Sequence, residues 1–257
     1  MRVTFLGVGE AFDERLPNTS LFVTPGADVE QGGVLLDCGF TAAAAFFASR
    51  LPEAVRETGP EAVWISHFHG DHFFGLPYLL ARWHEAGRTE PLTIMGGEGV
   101  AAKVSAVVDL AYPNLRAKLG FALRTETARP GVAFFLGAFA GRVAPTGHGA
   151  PCLGLRLEAG GRALYYSGDG APTPACRKLA SGCAVLVQEA YALTAGVPGH
   201  GSVDEALALA ATSGAGALAV VHVRRELRRG RGAEIRARLA AAGFAAGLPE
   251  PGAVIVA

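Results

Sequence analysis

The stretch SHFHGDH at residues 66–72 places three of the chain's seven histidines within six residues. It directly follows a short apolar run that is typical of a buried strand. Side chains two residues apart on an extended chain project to the same side, so His67 and His69 can share one metal ion. After the glycine, which permits a sharp turn, Asp71 and His72 are directed toward a second ion beside the first. The stretch therefore predicts a metal site, since imidazoles with a carboxylate at this density suit metal ligation.

The composition sets limits on the class of protein. The chain has 257 residues, half of them apolar, and equal numbers of basic and acidic residues (23 each) give a formal net charge of zero. A chain of this length can bury a large core, and we treat residues 1–257 as one domain. The charge balance gives no general attraction to nucleic acid or to an anionic membrane, so binding of RNA would require a local basic surface.

The four cysteines, which are Cys38, Cys152, Cys176 and Cys183, form no CxxC pair. A chain of this size does not need a disulfide framework, and reduced thiols favour a cytoplasmic location. The first residues show no apolar core of a secretory signal, and no apolar run approaches the length of a membrane span. We therefore expect no membrane association.

Apolar periodicity and turn residues predict alternating strands and helices. Strands are predicted at Val3–Leu6, Leu21–Thr24, Val34–Asp37, Ala62–Ser66, Leu92–Met95, Ala133–Leu136, Gly141–Pro145, Leu153–Glu158, Ala163–Ser167, Ala184–Gln188, Ala217–Val221 and Ala253–Val256. Helices are predicted at Thr41–Ser49, Phe73–Ala86, Val100–Leu119 with a break near Pro113, Val203–Thr212 and Ile235–Ala242. A hairpin is expected around Gly160-Gly161, and Ser202 is a suitable N-cap. The order favours sheets enclosed between helical layers, and a loop across residues 96–130 is expected to cover the pocket.

The His-x-His-x-Asp-His pattern after a strand resembles the signature of the metallo-β-lactamase superfamily. Further motifs of that family follow in the expected order, each at or just past a β-like run where a loop residue can face a shared pocket. The resemblance implies an α/β fold, a four-layer αβ/βα sandwich with the site at one edge of two sheets. The matching positions are Asp37 in LLDCG, His148 in PTGHG, Asp169 in YSGDG and His222 in VVHV.

The resemblance also implies how these side chains divide the work. His67, His69 and His148 would hold one metal ion, and Asp71, His72 and His222 would hold the other. Asp169 would bridge the two ions, and Asp37 would support the metal loop without ligating. Zinc is the default for both divalent ions, although nitrogen and oxygen ligands without sulfur also suit Mn or Fe.

Within the superfamily, the chain is most similar to ribonuclease Z and its relatives, over nearly its whole length. The segments that carry this similarity are LLDCG, SHFHGDHFFGLPYLL, PLTIMG, HGAPCLGLRL, YYSGD, QEAYA and HGSVDEALALA. In that family a glutamate and a later histidine assist proton transfer to the leaving group, and Glu189 and His200 stand at the corresponding positions. A histidine supported by a carboxylate is a suitable general acid. Glu189 and His200 could instead be an ordinary strand-end residue and a loop histidine.

Several positions depart from the ribonuclease Z pattern. That family carries a Gly- and Pro-rich arm that grips tRNA, often between the motifs of His148 and Asp169, where this chain has only a short hairpin. After His222 the family usually shows Ser-x-Arg-Tyr, whereas this chain has an arginine-rich run at residues 224–231. Arg224 and Arg225 could clamp a phosphate of the substrate, although a solvated surface is an equal interpretation.

We therefore expect a two-metal hydrolase that cleaves a phosphodiester with a metal-bridged hydroxide, oriented by Asp71 or Asp169. The first interpretation is a ribonuclease Z-like endonuclease that acts on RNA ends. The second is a hydrolase of small cyclic phosphodiesters, lactones or sulfate esters. A third is a non-catalytic metal-binding protein, which the intact ligand set disfavours. A homodimer, common in this family, is also considered.

Overall fold

A computed structural model describes residues 1–28 and 32–257. The strands of these residues are, in chain order, β1 (Arg2–Gly7), β2 (Ser20–Thr24), β3 (Val34–Leu36), β4 (Ala62–Ile65), β5 (Leu92–Gly96), β6 (Leu123–Thr127), β7 (Phe134–Leu136), β8 (Phe139–Pro145), β9 (Leu153–Ala159), β10 (Arg162–Tyr166), β11 (Val185–Glu189), β12 (Ala217–Val221), β13 (Ala245–Gly247) and β14 (Val254–Val256). The helices are α1 (Ala42–Ala48), α2 (Glu53–Thr58), α3 (Gly70–Phe73), α4 (Leu76–Glu85), α5 (Val100–Ala111), α6 (Leu115–Lys118), α7 (Pro174–Leu179), α8 (Val203–Ser213) and α9 (Arg225–Ala240).

The strands form two mixed sheets of seven, in the orders β14-β1-β2-β3-β4-β5-β6 and β13-β12-β11-β10-β9-β8-β7. A core of apolar side chains from both sheets lies between them, and it includes Trp64 and Tyr166. A second core packs the first sheet against α1, α4 and α5, and a third packs the other sheet against α7, α8 and α9. The result is the predicted four-layer αβ/βα sandwich.

Parallel pairing explains why the motifs converge. Strands β3 to β6 are parallel in one sheet, and strands β10 to β13 are parallel in the other. The carboxyl ends of parallel strands lie at the same edge of a sheet, and the loops that follow them share one surface. Asp37 follows β3, His67 follows β4, Asp169 follows β10 and His222 follows β12. Because His222 N–H donates to the Val8 carbonyl at 3.0 Å, the edges of the two sheets are joined at the site.

Most of the predicted elements are present with ends shifted by one or two residues. The hairpin is confirmed: β9 and β10 pair around Gly160 and Gly161, which both have positive φ (55° and 73°). The Ser202 Oγ accepts from the Glu205 N–H and caps α8, as predicted. The sequence patterns missed five short elements, which are α2, α3, α7, β6 and β13.

Two segments required larger corrections. Within residues 96–130, the predicted helix Val100–Leu119 with a break near Pro113 is confirmed as α5 and α6. The rest of the segment is not the predicted loop throughout, because it contains the strand β6. The predicted helix Ile235–Ala242 begins ten residues earlier, at Arg225, with a kink at Arg231. Ion pairs with a distant loop favour this extension, since Arg225 contacts Glu10 and Arg229 contacts Asp13, each at 2.7 Å.

No helix within the described ranges has the length and apolar character that crossing a membrane would require. The four cysteines are all buried and unpaired, and Cys152 lies 2% exposed as a small apolar side chain beside the site.

Candidate metal centre

Seven side chains predicted as metal ligands meet at the shared edge of the sheets, and five of them line one cavity there. They form two groups in which the possible ligand atoms lie within 4.8 Å of one another. The first group contains His67, His69 and His148, and the second contains Asp71, His72, Asp169 and His222. The cavity has a volume of about 390 Å³, and the side chains around it include Glu10, Phe12, Phe40, Tyr191 and His200.

Asp169 lies between the two groups. Its Oδ1 is 3.3 Å from His72 Nε2 and 3.5 Å from His222 Nε2, whereas its Oδ2 is 3.9 Å from His67 Nε2. One oxygen thus faces each group, which is the arrangement that a bridging carboxylate needs. On the other side of the second group, Asp71 Oδ2 lies 3.2 Å from both His72 Nε2 and His222 Nε2.

Buried polar atoms without partners test whether these residues suit metal ions. His67 Nε2, His72 Nε2 and Asp169 Oδ1 are buried, yet they make no hydrogen bond with the described part of the chain. An unpaired buried polar atom is costly, and a cation is a partner that would satisfy all three. The donor set of imidazole nitrogens and carboxylate oxygens suits zinc, Mn or Fe, so the residues fit the predicted ions.

Hydrogen-bond partners outside the ligand set indicate which ring nitrogen is free in His67, His72 and His148. His72 Nδ1–H donates to Asp37 Oδ2 at 2.7 Å, and His148 Nδ1–H donates to the Gly199 carbonyl at 2.7 Å. The Ser66 hydroxyl donates to Asp37 and lies 3.1 Å from His67 Nδ1, whose N–H it can accept. In each case the lone pair of Nε2 is left for the cavity, as metal ligation requires. The hydrogen placement follows from these partners.

The charges of the site also favour a cation. Burial, followed by the nearby His72, lowers the pKa of His67 to about 2, so this imidazole is neutral. Burial alone would lower the pKa of His222, but Asp169 and Asp71 outweigh it and raise that pKa to about 9. The pair of carboxylates therefore draws positive charge into the second group, whether as a proton or as a metal ion.

Asp37, which the sequence predicts to support the metal loop, is fully buried. Its Oδ1 accepts from the Ser66 N–H at 2.7 Å. Its Oδ2 accepts from the hydroxyls of Ser66 and Tyr166 and from His72 Nδ1–H, at 2.7, 2.6 and 2.7 Å. Asp37 has a φ of 59°, a conformation that Asp and Asn tolerate better than most residues. One carboxylate thus holds both ends of the metal loop.

We expect Asp37→Ala to lower the free energy of unfolding by about 3 kcal/mol or more, because each buried donor left unpaired costs about 1–3 kcal/mol. Affinity for metal should fall by about 10–100-fold, the usual effect of losing a residue that orients ligands. Denaturant titration and competition with a metal-sensitive dye measure the two effects. Asp37→Asn is the control for the backbone, since it keeps the shape and the positive φ. Parent-like metal affinity in both variants would remove Asp37 from this role.

Glu189 and His200 lie together beside the second group. Glu189 is fully buried, and its Oε1 accepts from His200 Nδ1–H at 3.0 Å and from the N–H groups of Gly170 and Gly201 at 2.9 Å. Burial lowers the pKa of His200, but the hydrogen bond and charge of Glu189 outweigh burial and leave that pKa raised. The Tyr191 ring stacks on His200 with the ring centroids 4.6 Å apart.

Arg224 and Arg225, the predicted phosphate clamp, lie outside the lining of the cavity. They begin α9 next to the cavity. The guanidinium of Arg225 pairs with Glu10, which does line it, and Arg224 contacts Glu226 at 3.4 Å. Their binding of a substrate phosphate stays a prediction. Sequence reasoning missed Glu10 and Tyr191, because neither belongs to a metal-ligand pattern, although Tyr191 lies in the QEAYA segment.

Comparison with known proteins identifies the family of this chain. The family model described as "Beta-lactamase superfamily domain" matches residues 33–223, and the chain belongs to this superfamily. Ribonuclease Z of Mycolicibacterium paratuberculosis is 31% identical over 255 residues, which cover 86% of this chain and 85% of the relative. Within the superfamily the chain therefore lies in the ribonuclease Z-like branch.

Solved structures show the same fold. Human tRNase Z, short form, has a TM-score of 0.78 at 23% identity and covers 100% of this chain and 99% of its own. A diphosphatase from the PhnP family has a TM-score of 0.73 at 16% identity and covers 100% of this chain and 97% of its own. The metal-dependent hydrolase class predicted from the sequence is supported by the ribonuclease Z relative at 31% identity.

Proposed function

We propose that this chain is a phosphodiesterase of ribonuclease Z type that binds two divalent metal ions, zinc by default, in the cavity. The observation that carries the proposal is the pairing of two ligand groups across Asp169, with buried donor atoms that lack other partners. His67, His69 and His148 would hold one ion. Asp71, His72 and His222 would hold the other, and Asp169 would contact both.

Two adjacent ions, when bound, lower the pKa of a water molecule and neutralise charge on the phosphoryl oxygens. The chain supplies the remaining functions. Asp71 and Asp169 can accept a hydrogen bond from the water and orient it toward phosphorus. His200 faces the cavity, and Glu189 accepts from its Nδ1–H, which leaves Nε2 to donate a proton to the departing oxygen.

Chelation tests the need for metal. We expect the purified protein to contain two metal ions per chain and to hydrolyse bis-p-nitrophenyl phosphate. A chelator should abolish turnover, because the water and the phosphoryl group both depend on the ions, and Zn or Mn should restore it. Elemental analysis and initial rates on the same samples provide the measurement. Turnover that survives removal of all bound metal would overturn the proposal.

The short hairpin between His148 and Asp169 favours a second candidate, a hydrolase of small phosphodiesters. Strands β9 and β10 pair directly from Arg162–Ala159 onward, with no inserted arm to reach a tRNA. The structural likeness to a diphosphatase shows the fold alone. Cleavage rates on a precursor tRNA and on a cyclic nucleotide, measured with one metal-loaded preparation, discriminate between the two candidates.

A further inference from the structure

A second cavity of about 640 Å³ opens beside the metal centre and shares His69 with it. Its walls are largely apolar and include Phe68, Ala128, Pro151 and Leu153. Most of the remaining lining comes from the two ends of the segment 96–130, which the sequence predicted to lie over the pocket. We define the aryl pocket as this second cavity.

We propose that the aryl pocket binds a planar aromatic group that stays joined to phosphorus during the reaction, such as the base of a nucleoside phosphate. This inference rests on the proposed function, since it places a substrate across the metal centre. It adds a site that selects among phosphodiesters by the group they retain.

The position of the aryl pocket relative to His200 supports this assignment. The aryl pocket is lined by His69 but not by His200. The His148 ring lies next to both, 5.0 Å from the His69 ring and 5.2 Å from the His200 ring. His200 serves the departing oxygen, so the leaving group belongs at its end. The other ester group of the same phosphorus then extends past His69 into the aryl pocket.

The walls of the aryl pocket are held in place. Phe68 packs edge-on against Phe73 at 5.3 Å, and the Leu153 N–H donates to the Ser66 carbonyl at 3.0 Å. An aromatic ring placed between them would be stabilised by burial and by contact with Phe68. Pockets of this kind, apolar with a few polar groups at the rim, commonly bind small organic groups.

The charged side chains of the rim suit an anion on the same ligand. Lys103 Nζ lies 5.0 Å from the centre of the Phe68 ring, and Arg129 contacts Glu98 at 3.6 Å. These three side chains are exposed and give the rim one net positive charge. If the bound nucleotide carries a second phosphate, Lys103 and Arg129 at the rim of the same cavity can form charge-assisted hydrogen bonds with it.

Three substrates with one leaving group provide the test, because only the retained group differs. They are methyl p-nitrophenyl phosphate, bis-p-nitrophenyl phosphate and the p-nitrophenyl ester of thymidine 5′-phosphate. We expect the two aromatic substrates to have kcat/KM values at least about tenfold higher than the methyl ester, the scale of selectivity that apolar pockets provide. Equal values for all three would overturn the inference.

Gly97 provides a variant that fills the aryl pocket from its wall. A Cβ at Gly97 would meet only the Leu153 Cδ1, at 3.6 Å, so a side chain can be added there without a clash at Cβ. Gly97→Phe should reduce the preference for aromatic substrates by about tenfold, and Gly97→Ala, which adds one methyl, is the matched control. An unchanged preference in Gly97→Phe would contradict the assignment.

Binding of the products gives a readout that does not need turnover. By calorimetry on metal-loaded protein, Gly97→Phe should weaken thymidine 5′-phosphate by about tenfold relative to methyl phosphate. If none of the three esters is cleaved but this difference in binding is present, the proposed function fails and the aryl pocket stands. If the esters are cleaved and the difference is absent, the pocket fails and the function stands.

Discussion

Asp169→Ala is expected to lower the turnover of bis-p-nitrophenyl phosphate by at least about a thousandfold, the scale at which one preorganised charged group acts in catalysis. Asp169 is the only predicted ligand of the described residues that faces both groups, since Oδ1 faces His72 and His222 while Oδ2 faces His67. Without this negative charge, the mutual repulsion of two adjacent cations in the proposed site would be less compensated. The substitution also leaves neighbouring imidazoles without the carboxylate that balances their charge or that of the ions.

His67→Ala should cause a comparable loss of turnover, because it removes a ligand from the first group only. Metal analysis distinguishes the two variants: Asp169→Ala should lower occupancy at both positions, whereas His67→Ala should chiefly deplete one. Asp109→Asn is a matched control, because it also removes one negative charge but lies on the surface, paired with Arg116. Full metal content with turnover within about threefold of the parent in both variants would exclude this site as the reaction centre.

The sequence predicted which side chains meet at the shared sheet edge, because their positions depend on few local rules. Their role as metal ligands stays a prediction. Strands ended by a histidine or an aspartate deliver that residue to a sheet edge, and the parallel order of β3 to β6 and β10 to β13 brings those edges together. The His67 and His69 alternation needs only an extended backbone. The ligand roles themselves came from resemblance to a family, because residues as distant as Asp71 and His222 cannot be paired by periodicity.

The arginine-rich run shows where local patterns fail. As a sequence it is compatible with a solvated loop, and its charges gave no reason to prefer helix. In the structure it starts α9, because Arg225 and Arg229 find Glu10 and Asp13 more than two hundred residues away. Arg228 is 8% exposed and donates to the Pro249 carbonyl at 2.6 Å. Such long-range partners leave no periodic signal in the chain.

The strand β6 in segment 96–130 was not predicted, for a different reason. This exposed strand alternates intermediate and exposed residues, so it lacks the apolar run that marks the buried strands β4 and β5. The edge position of β6, where only β5 pairs with it, explains this composition. Sequence reasoning therefore predicted the helix α5 and a cover over the pocket without predicting β6, the strand that leads into Ala128 and Arg129 of the aryl pocket.

His200→Ala is expected to lower turnover by about 10²–10⁴-fold for substrates with a poor leaving group, the range typical of a lost general acid. The metal content should not change, because His148 and His222 remain. This measurement matters since His200 also lies close enough to Asp169 and His148 to contact a cation. His84→Ala, a histidine on α4 outside the cavity, is the matched control.

The leaving group makes the role of His200 measurable. A p-nitrophenolate departs without a proton, whereas an alkoxide such as a ribose oxygen needs one. His200→Ala should therefore slow an alkyl phosphodiester far more than its p-nitrophenyl analogue. An equal loss on both, or loss of bound metal, would mean that His200 positions an ion rather than donating a proton.

Glu189→Gln tests the effect of the Glu189 carboxylate on His200 while the His200 ring itself is kept. The carboxylate raises the pKa of His200, so the protonated acid persists to higher pH in the parent. With the neutral amide that pKa falls, and the decline of kcat on the alkaline side should begin at lower pH. In the parent, Glu189 Oε2 accepts from the Tyr191 N–H, and Oε1 accepts from the N–H groups of Gly170 and Gly201. The glutamine amide places its own N–H group at one of these two positions, so it also loses an acceptor for the loop. A pH profile that is merely scaled down, with its alkaline limb unmoved, would show that Glu189 holds the loop and does not tune the acid.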